Sequence, residues 1–401
     1  METPLPIPKT WNSQPIDEAI LLRFEEQLAL ASPPFHQIRK AAFHRLAEVG
    51  LPVGRHEAFS YSSPSPIFSL MRKRESFADS KPLSLTTPIA QKREEMLLAS
   101  LPSNDDPIDL LALSFISSYD ELSPVACDQE RNQYLLQPPP PSQTVDLRFY
   151  SLHLSRGEKA DLSILFPENA SVSGWSHYHF DLILEEESEL SLSALQPSLP
   201  LQLSTFSFAI QQGGKSRFYS TSAWEGAKFA RNQISLSLSG EEAYCSLKSI
   251  TVTGEKREMH HFLSLYHHQP NCQSEQLFHQ VVQDRSSVSV DGSVYVERGA
   301  DGTDSNQLIR SLLLGNDAMA AGKPRLFIDA DDVECRHGAT HGPLEEEELF
   351  YLVSRGLSPD SARNALIRGF ADEVLLSMDH RELRHRSEER VATSLQSAGE
   401  N

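Results

Sequence analysis

The feature that most limits the fold of this chain is a long succession of short apolar runs that begins after Pro141. In runs such as 147–150 and 234–238, apolar residues alternate with polar ones or stand together, and Gly, Asn, Asp and Ser separate one run from the next. The pattern continues to about residue 328, with helical periodicity only at 307–314. It predicts a mainly β core of the sandwich, barrel or β-helix type. No strict sequence repeat chooses among these three.

Helices are predicted before this core. Residues 16–30 carry apolar side chains at helical spacing, and a second helix is predicted over 36–48, ending at Gly50. The stretch 82–141 is rich in Pro, Ser and Asp and ends in four consecutive prolines, which predicts irregular structure with a few short strands or one helix around 92–101.

Helical patterning returns at the C-terminal end. Residues 344–356 form one amphipathic segment, and Ser358 followed by Pro359 is typical of an N-cap and the first helical position of the next helix. The chain is thus divided into a helical region, a Pro/Ser-rich irregular segment, a β core, and a final segment of motif and helices. The predicted boundaries are 1–75, 76–145, 146–330 and 331–401.

Composition excludes several classes of function. The 401 residues carry a net charge of −19, which disfavours nucleic acid or an anionic membrane as a partner. No apolar run approaches a membrane span, the Pro-rich start lacks the features of a signal peptide, and four scattered cysteines fit reduced thiols. A cytoplasmic location is expected. No phosphate-binding loop and no hydrolase motif occurs, so we expect no enzymatic activity of the chain's own.

The densest chemistry lies in the stretch 331–342, between an apolar run and an acidic helix-forming segment. If the strand continues through it, Cys335 and His337 project from one face, because side chains at i and i+2 share a face. A thiolate and an imidazole suit iron, zinc or an iron–sulfur cluster, although such sites usually need about four ligands. A buried, inert Cys335 beside a turn histidine is the plainer alternative. Asp331 and Asp332 are interpreted as a turn-forming pair rather than as paired acid–base carboxylates.

Two other patterns invite a functional interpretation. The pairs 260–261 and 267–268 are adjacent histidines, but neighbours on a strand point to opposite faces, so the members of a pair are not expected to share a metal. Tyr351 and Arg355 lie four residues apart on one predicted helical face. That face could contact a partner or pack against the core.

The segments around this stretch resemble the SufB/SufD family of iron–sulfur cluster assembly proteins. The resemblance is strong from about 225 to 376 and faint before it; 50–57 is similar to the family's "GLPxxxxE" entry, but Phe59-Ser60-Tyr61 and His341 depart from the usual pattern. Length and the N-terminal helices favour the SufD branch. The segments that carry the resemblance are 229–232, 274–278, 306–314, 323–340 and 349–356.

This resemblance implies a right-handed parallel β-helix core flanked by N-terminal and C-terminal helical regions. It further implies a non-catalytic scaffold that pairs with a SufB-like paralogue and docks a SufC-like ATPase, with Tyr351 and Arg355 as candidate ATPase contacts. Cys335 and His337 would face the paralogue and hold transient iron or a nascent cluster only with ligands from that partner chain. No cofactor would be bound tightly by this chain alone, and a homodimer is an open possibility in the absence of the paralogue.

Three alternatives stay open at this point. The chain could be a SufB-like subunit that carries the cluster itself. The sequence has only four cysteines, and their spacing is not that of a cluster site, which counts against this alternative. It could be a metal-independent adaptor for an ABC-type ATPase. A β-helix carbohydrate-active enzyme would need a groove of carboxylates and aromatics, for which the sequence shows no regularly spaced acidic pair.

Overall fold

The fold is that of a computed structural model, which describes residues 13–30, 35–53, 59–73, 98, 106–116, 120–128, 130–141, 144–168 and 173–397. Within these ranges the chain forms a parallel β-solenoid of about seven turns and seven helices at its two ends. No helix in the described ranges is long and apolar enough to cross a membrane.

The solenoid is built from strands that alternate between two sheets. Even-numbered strands from β6 onward form one sheet and odd-numbered strands from β5 onward form the other. From β7 onward each strand is hydrogen-bonded in parallel to the strand two positions earlier. We call these sheets the even sheet and the odd sheet. The strands are β1 (Ser13–Gln14), β2 (Leu51–Pro52), β3 (Asp120–Glu121), β4 (Ala126–Asp128), β5 (Arg131–Leu136), β6 (Val145–Leu154), β7 (Lys159–Leu165), β8 (Trp175–Leu184), β9 (Glu189–Gln196), β10 (Leu199–Gln212), β11 (Arg217–Trp224), β12 (Ala227–Leu238), β13 (Tyr244–Thr253), β14 (Glu258–His267), β15 (Gln273–Val282), β16 (Ser287–Val296), β17 (Thr303–Leu313), β18 (Met319–Ile328) and β19 (Val333–Gly342).

The inner faces of the two sheets share one apolar interior. Because the register is parallel, alternate residues of successive strands stack: Phe180 lies beside Phe208 with ring centroids 4.7 Å apart and nearly parallel planes. Phe166 lies at the centre of the aromatic part of this interior, with the rings of Tyr178, Phe206 and Trp224 around it at 4.7–6.1 Å. The two ends of the solenoid differ, because a short antiparallel pair, β4 with β5, continues the odd sheet at its start.

Four helices precede the solenoid and cover the outer face of the even sheet. They bury Phe149, Trp175, Leu203 and Phe229, which project outward from successive strands of that sheet. The helices are α1 (Glu18–Leu30), α2 (His36–Val49), α3 (Ser65–Met71) and α4 (Pro107–Ser114).

A buried polar seam joins α4 to the even sheet. Asp106 caps α4 by accepting from the backbone N–H groups of Ile108 and Asp109, and its other oxygen lies 2.9 Å from the Arg231 guanidinium. One turn later, the Asp109 carboxylate lies between the imidazoles of His177 and His179. Burial lowers the pKa of His179, but the carboxylates beside it outweigh burial and raise that pKa to about 10. The pKa of Asp109 would rise by burial, yet both imidazoles together hold it well below its usual range.

Three helices follow the solenoid: α5 (Glu346–Ser354), α6 (Pro359–Leu375) and α7 (Arg381–Ser397). Helices α6 and α7 cover the outer face of the odd sheet, where residues such as Ile367 and Val374 pack against Val252 and Val281. In contrast, α5 buries none of its residues.

The structure confirms the main expectations for the fold and corrects one. The mainly β core, the flanking helices and the cap at Ser358, whose hydroxyl accepts from the backbone N–H of Ser361, are as predicted. The helical periodicity noted at 307–314 does not correspond to a helix, because residues 307–313 belong to β17. Leu312 packs under the C-terminal helices and Ile309 faces the interior, so a strand buried on both faces imitates the spacing of a helix.

Some expectations stay predictions. Apart from residue 98, the helix expected around 92–101 lies outside the described residues, and so does the segment 54–57. The boundaries proposed at 75, 145 and 330 also stay predictions.

We expect Phe166→Ala to lower the free energy of unfolding by about 3–5 kcal/mol, because it removes a fully buried ring from a packed aromatic cluster. The matched control is Leu201→Ala, at a side chain that is 69% exposed, for which a change within about 0.5 kcal/mol is expected. Urea unfolding followed by tryptophan fluorescence measures both. Equal transitions for the two variants would contradict the described interior.

Candidate functional site

The predicted motif lies on β19, the last strand of the odd sheet. In the parallel register, Cys335 stands beside Ser305 and His337 beside Gln307 on β17. Strand β18 ends the even sheet in the same way, so within the described part of the chain neither β18 nor β19 has a strand on its far side. We call this the open end of the solenoid. Its outermost backbone N–H and C=O groups are available to another chain.

Cys335 and His337 both face the interior of the solenoid at this open end. The thiol is half-buried and packs against the interior cluster, and His337, two residues on, takes the same face of the strand and is exposed. His341 shares this face too: its imidazole lies against Gly322 on β18, where an added Cβ would come within 3.0 Å of the ring. The glycine there leaves room for the imidazole of His341, which is itself exposed.

A row of hydrogen-bonded polar side chains lies directly beneath each of these three residues. Such rows are unusual in a solenoid interior, since buried polar groups must find partners. They position the end residues on ordered polar layers rather than on a purely apolar surface. The pairs are Ser274–Ser305 at 2.8 Å beneath Cys335, Gln276–Gln307 at 2.6 Å beneath His337, and Gln280–Ser311 at 2.7 Å with His341 a further 2.9 Å from Ser311.

The environment of Cys335 disfavours its thiolate. Burial raises the pKa of this thiol, the Asp304 carboxylate raises it further, and a backbone hydrogen bond involving Ser305 opposes them only in part. The group is therefore a neutral thiol at pH 7, and a bound cation would have to displace its proton. Burial also lowers the pKa of His341, which favours the neutral imidazole.

This chain supplies too few ligands at the open end for a complete metal site. Among the described residues, a single group of three converging His, Cys, Asp or Glu ligands occurs, and it is Asp109 with His177 and His179 beneath α4. Strand β19 brings Cys335 and His337 to one face as expected, but among the described residues no third ligand atom converges on them. What the open end can do chemically is offer one sulfur and one nitrogen donor to a shared site.

The remaining predicted residues lie outside this face. Asp331 and Asp332 are exposed in the turn before β19, with both backbone N–H groups directed to the Asp301 carboxylate at 3.3 and 3.4 Å. Tyr351 lies on the exposed helix α5, and the Arg355 guanidinium carbon is 5.2 Å from the centre of its ring. Tyr351 and Arg355 therefore form a small surface that is separate from Cys335 and His337, although it follows the open end closely in sequence.

The histidine pairs behave as strand geometry requires. His260 faces outward and contacts Ser289, whereas His261 faces the interior and contacts Thr251, each at 2.8–3.0 Å. Burial lowers the pKa of His261 to about 3. Both ring nitrogens of His260 and of His261 have hydrogen-bond partners, so this pair is structural.

An aromatic ladder on the outer face of the even sheet was not predicted from the sequence. Tyr266, Tyr295 and Phe327 stack in consecutive coils with ring centroids 4.8 Å apart, and Phe327 at the open end is 46% exposed. Only a spacing of about one coil between aromatics could have indicated it. The ladder leaves one ring face uncovered at the edge where another strand could add.

Comparisons with known proteins point to one family. The family model described as the SUF system FeS cluster assembly, SufBD core domain, matches residues 143–370, more than half of the chain. The protein ABCI7, chloroplastic, of Arabidopsis thaliana is 32% identical over 220 residues, which cover 54% of this chain and 46% of the relative. An iron–sulfur cluster assembly SufBD family protein of Synechocystis is 36% identical over 42% of this chain and 37% of its own length. The iron–sulfur cluster assembly protein SufD of Escherichia coli is 34% identical over 37% of this chain and 35% of its own length. The chain thus spans less than half the length of each of these relatives.

We expect Asp304→Asn to lower the pH at which Cys335 becomes reactive, because the carboxylate opposes formation of the thiolate. Iodoacetamide alkylation of Cys335 across pH, read by peptide mass spectrometry, measures the midpoint. Asp317→Asn is the matched control, since Asp317 lies in the turn beyond the far end of β17. An unchanged midpoint in Asp304→Asn would show that this carboxylate does not act on the thiol.

Proposed function

This chain belongs to the SufBD core-domain family of iron–sulfur cluster assembly proteins, and we propose that it is a SufD-type scaffold subunit with no catalysis of its own. The observation that carries the proposal is the open end of the solenoid, which presents Cys335 and His337 as two donors of an incomplete site. Relatives named SufD align with this chain, although over less than half of their length. Iron or a nascent cluster is cargo in this proposal, not a resident cofactor.

Pairing with a SufB-like paralogue would complete the open end. Three features favour it: two free strand edges, the exposed ring of Phe327, and inward-facing donors that only a chain placed across the end could join. Strand addition satisfies edge backbone groups, and an aromatic contact on Phe327 would fix its position. When the paralogue is absent, the same edges would allow a homodimer.

Cluster handling would follow from ligands shared across that interface. The Cys335 thiol has a raised pKa, so a metal ion must take the place of its proton, and the imidazole of His337 can bind metal or move that proton. With two donors here and the others on the paralogue, neither chain alone would hold cargo tightly. This arrangement favours transient over permanent binding.

The C-terminal helices offer a separate surface for a SufC-like ATPase. Helix α5 exposes Phe350 and Tyr351 to 74% and 56%, with Arg355 beside them and three glutamates in its first turn. Exposed aromatic and arginine side chains are typical of interface hot spots. Because α6 and α7 are packed on the odd sheet, a partner bound at α5 could transmit movement to the solenoid.

The cytoplasm is the proposed location, as the sequence suggests for reduced thiols. One relative is named as chloroplastic and another is bacterial, so an organelle stroma is the competing compartment.

In complexes purified anaerobically after co-expression with the SufB-like and SufC-like partners, we expect Cys335→Ala and His337→Ala to lower bound iron and sulfide several-fold. Each variant removes one donor of the shared site while the complex itself survives. Cys127→Ala and His153→Ala, at an exposed thiol and an exposed imidazole, are matched controls and should keep both. Size exclusion reports the complex, and chemical assay reports iron and sulfide. Unchanged iron and sulfide in both motif variants would support a metal-independent adaptor instead.

We further expect the two partner surfaces to be separable. Phe327→Glu should abolish recovery of the SufB-like partner because a charge replaces the exposed ring of the ladder, while the SufC-like partner still co-purifies. Tyr351→Ala with Arg355→Ala should give the reverse result. Pull-down of each partner through a tag on this chain measures both, and each variant is the folding control of the other. Loss of the same partner in both variants would refute the assignment of surfaces.

A further inference from the structure

A second group of metal-ligating side chains lies far from the open end in sequence, beneath helix α4. His177 and His179 are alternate residues of β8 and so share its outer face, while Asp109 comes from the first turn of α4, which lies on that face. All three are at most 4% exposed. The group therefore bridges the N-terminal helices and the solenoid.

The three ligand atoms converge. Asp109 Oδ1 lies 3.0 Å from His179 Nδ1 and 3.3 Å from His177 Nε2, and all three atoms lie within 4.8 Å of one another. An ion bound at about 2.1 Å holds neighbouring ligands about 3.0 Å apart in an octahedral arrangement and about 3.4 Å apart in a tetrahedral one. The two measured separations fall within that range, and the third, between the two imidazole nitrogens, is at most 4.8 Å.

Both imidazoles are oriented by their other ring nitrogen. His179 Nε2 lies 3.1 Å from Asp181 Oδ1, and His177 Nδ1 lies 2.8 Å from Thr205 Oγ1, which also accepts from Trp175 Nε1 at 2.8 Å. In the metal-free chain His179 Nδ1 donates to Asp109, and a bound ion would take the place of that proton while Nε2 keeps its N–H toward Asp181. A histidine whose far N–H is held by a carboxylate or hydroxyl is the usual arrangement behind a metal ligand.

The inner nitrogen of His177 lacks an adequate hydrogen bond. Nε2 is fully buried and, among the described residues, makes no hydrogen bond of good geometry, since its contact with Asp109 is long. A buried nitrogen without a good hydrogen bond, facing the carboxylate of Asp109, fits a cation held between these two groups.

We propose that Asp109, His177 and His179 bind one divalent first-row transition-metal ion, Zn²⁺ or Fe²⁺, that fastens helix α4 to the solenoid. Two imidazoles and a carboxylate suit these ions. The ring of Phe149 packs on both imidazoles at 5.3 and 5.7 Å, and this burial leaves no approach for a substrate. The ion is thus structural, and it is separate from any cargo at Cys335 and His337.

The test counts metal in the full-length chain carrying Cys335→Ala and His337→Ala, so that cargo at the open end does not contribute. Cells are grown with added zinc or added iron, and the purified protein is assayed by elemental analysis. We expect about one ion per chain, falling at least five-fold in Asp109→Asn and in His179→Gln. His153→Gln, at an exposed histidine, is the matched control and should retain the ion.

Binding of Co²⁺ to the parent chain is an independent test, which does not require the variants to fold. The chain is unfolded and refolded with Co²⁺, and visible ligand-field bands of protein-bound cobalt are expected in the parent chain. Absence of both a stoichiometric ion and these bands overturns the proposal and leaves a proton as the only occupant. An ion retained undiminished in folded Asp109→Asn, as judged by circular dichroism, overturns it as well. Neither outcome bears on the scaffold role, which the open-end variants test.

Discussion

Parallel pairing of each strand with the strand one coil earlier is the interaction on which the rest of this structure depends. A parallel ladder is stable when both faces of its sheets are covered. Here the two sheets cover each other inside, the N-terminal helices cover the even sheet, and α6 and α7 cover the odd sheet. What pairing cannot cover is the last coil, which has no successor. The proposed donors Cys335 and His337 lie where this repeating interaction stops.

Much of the fold was predictable because its signals are local. Alternating runs indicated strands, and the cap at Ser358 and the helices near the two ends followed from spacing and capping residues. The corners were harder to recognise. Glu187, Lys215 and Glu242 adopt positive φ values of 62°, 57° and 58° in successive turns, where glycine or asparagine would have marked the corner. With charged residues in these positions, the coil length is hidden in the sequence, and periodicity alone could not separate a solenoid from a sandwich or barrel.

The candidate sites also differ in whether a local sequence pattern could indicate them. Cys335 and His337 are two residues apart, so strand geometry was enough to place them on one face. Asp109 and His177 are brought together only by the packing of α4, which lies in a stretch where Pro and Ser predicted irregular structure. The ladder of Tyr266, Tyr295 and Phe327 likewise depends on the register between coils. Contacts set by tertiary register leave no local pattern, and these were the features missed.

The single neighbour of the end coil has a consequence for stability. In a solenoid each coil is held mainly by the coils next to it, so a terminal coil has about half the support of an internal one and opens more easily. Strands β18 and β19 are that coil, and their inner residues are correspondingly more accessible than those of β16 and β17. A chain that adds to their edges would also stop them from fraying. The sulfur and nitrogen donors would then be held rigidly only while a complex exists, so that a lone subunit would be a poor trap for metal ions in the cell.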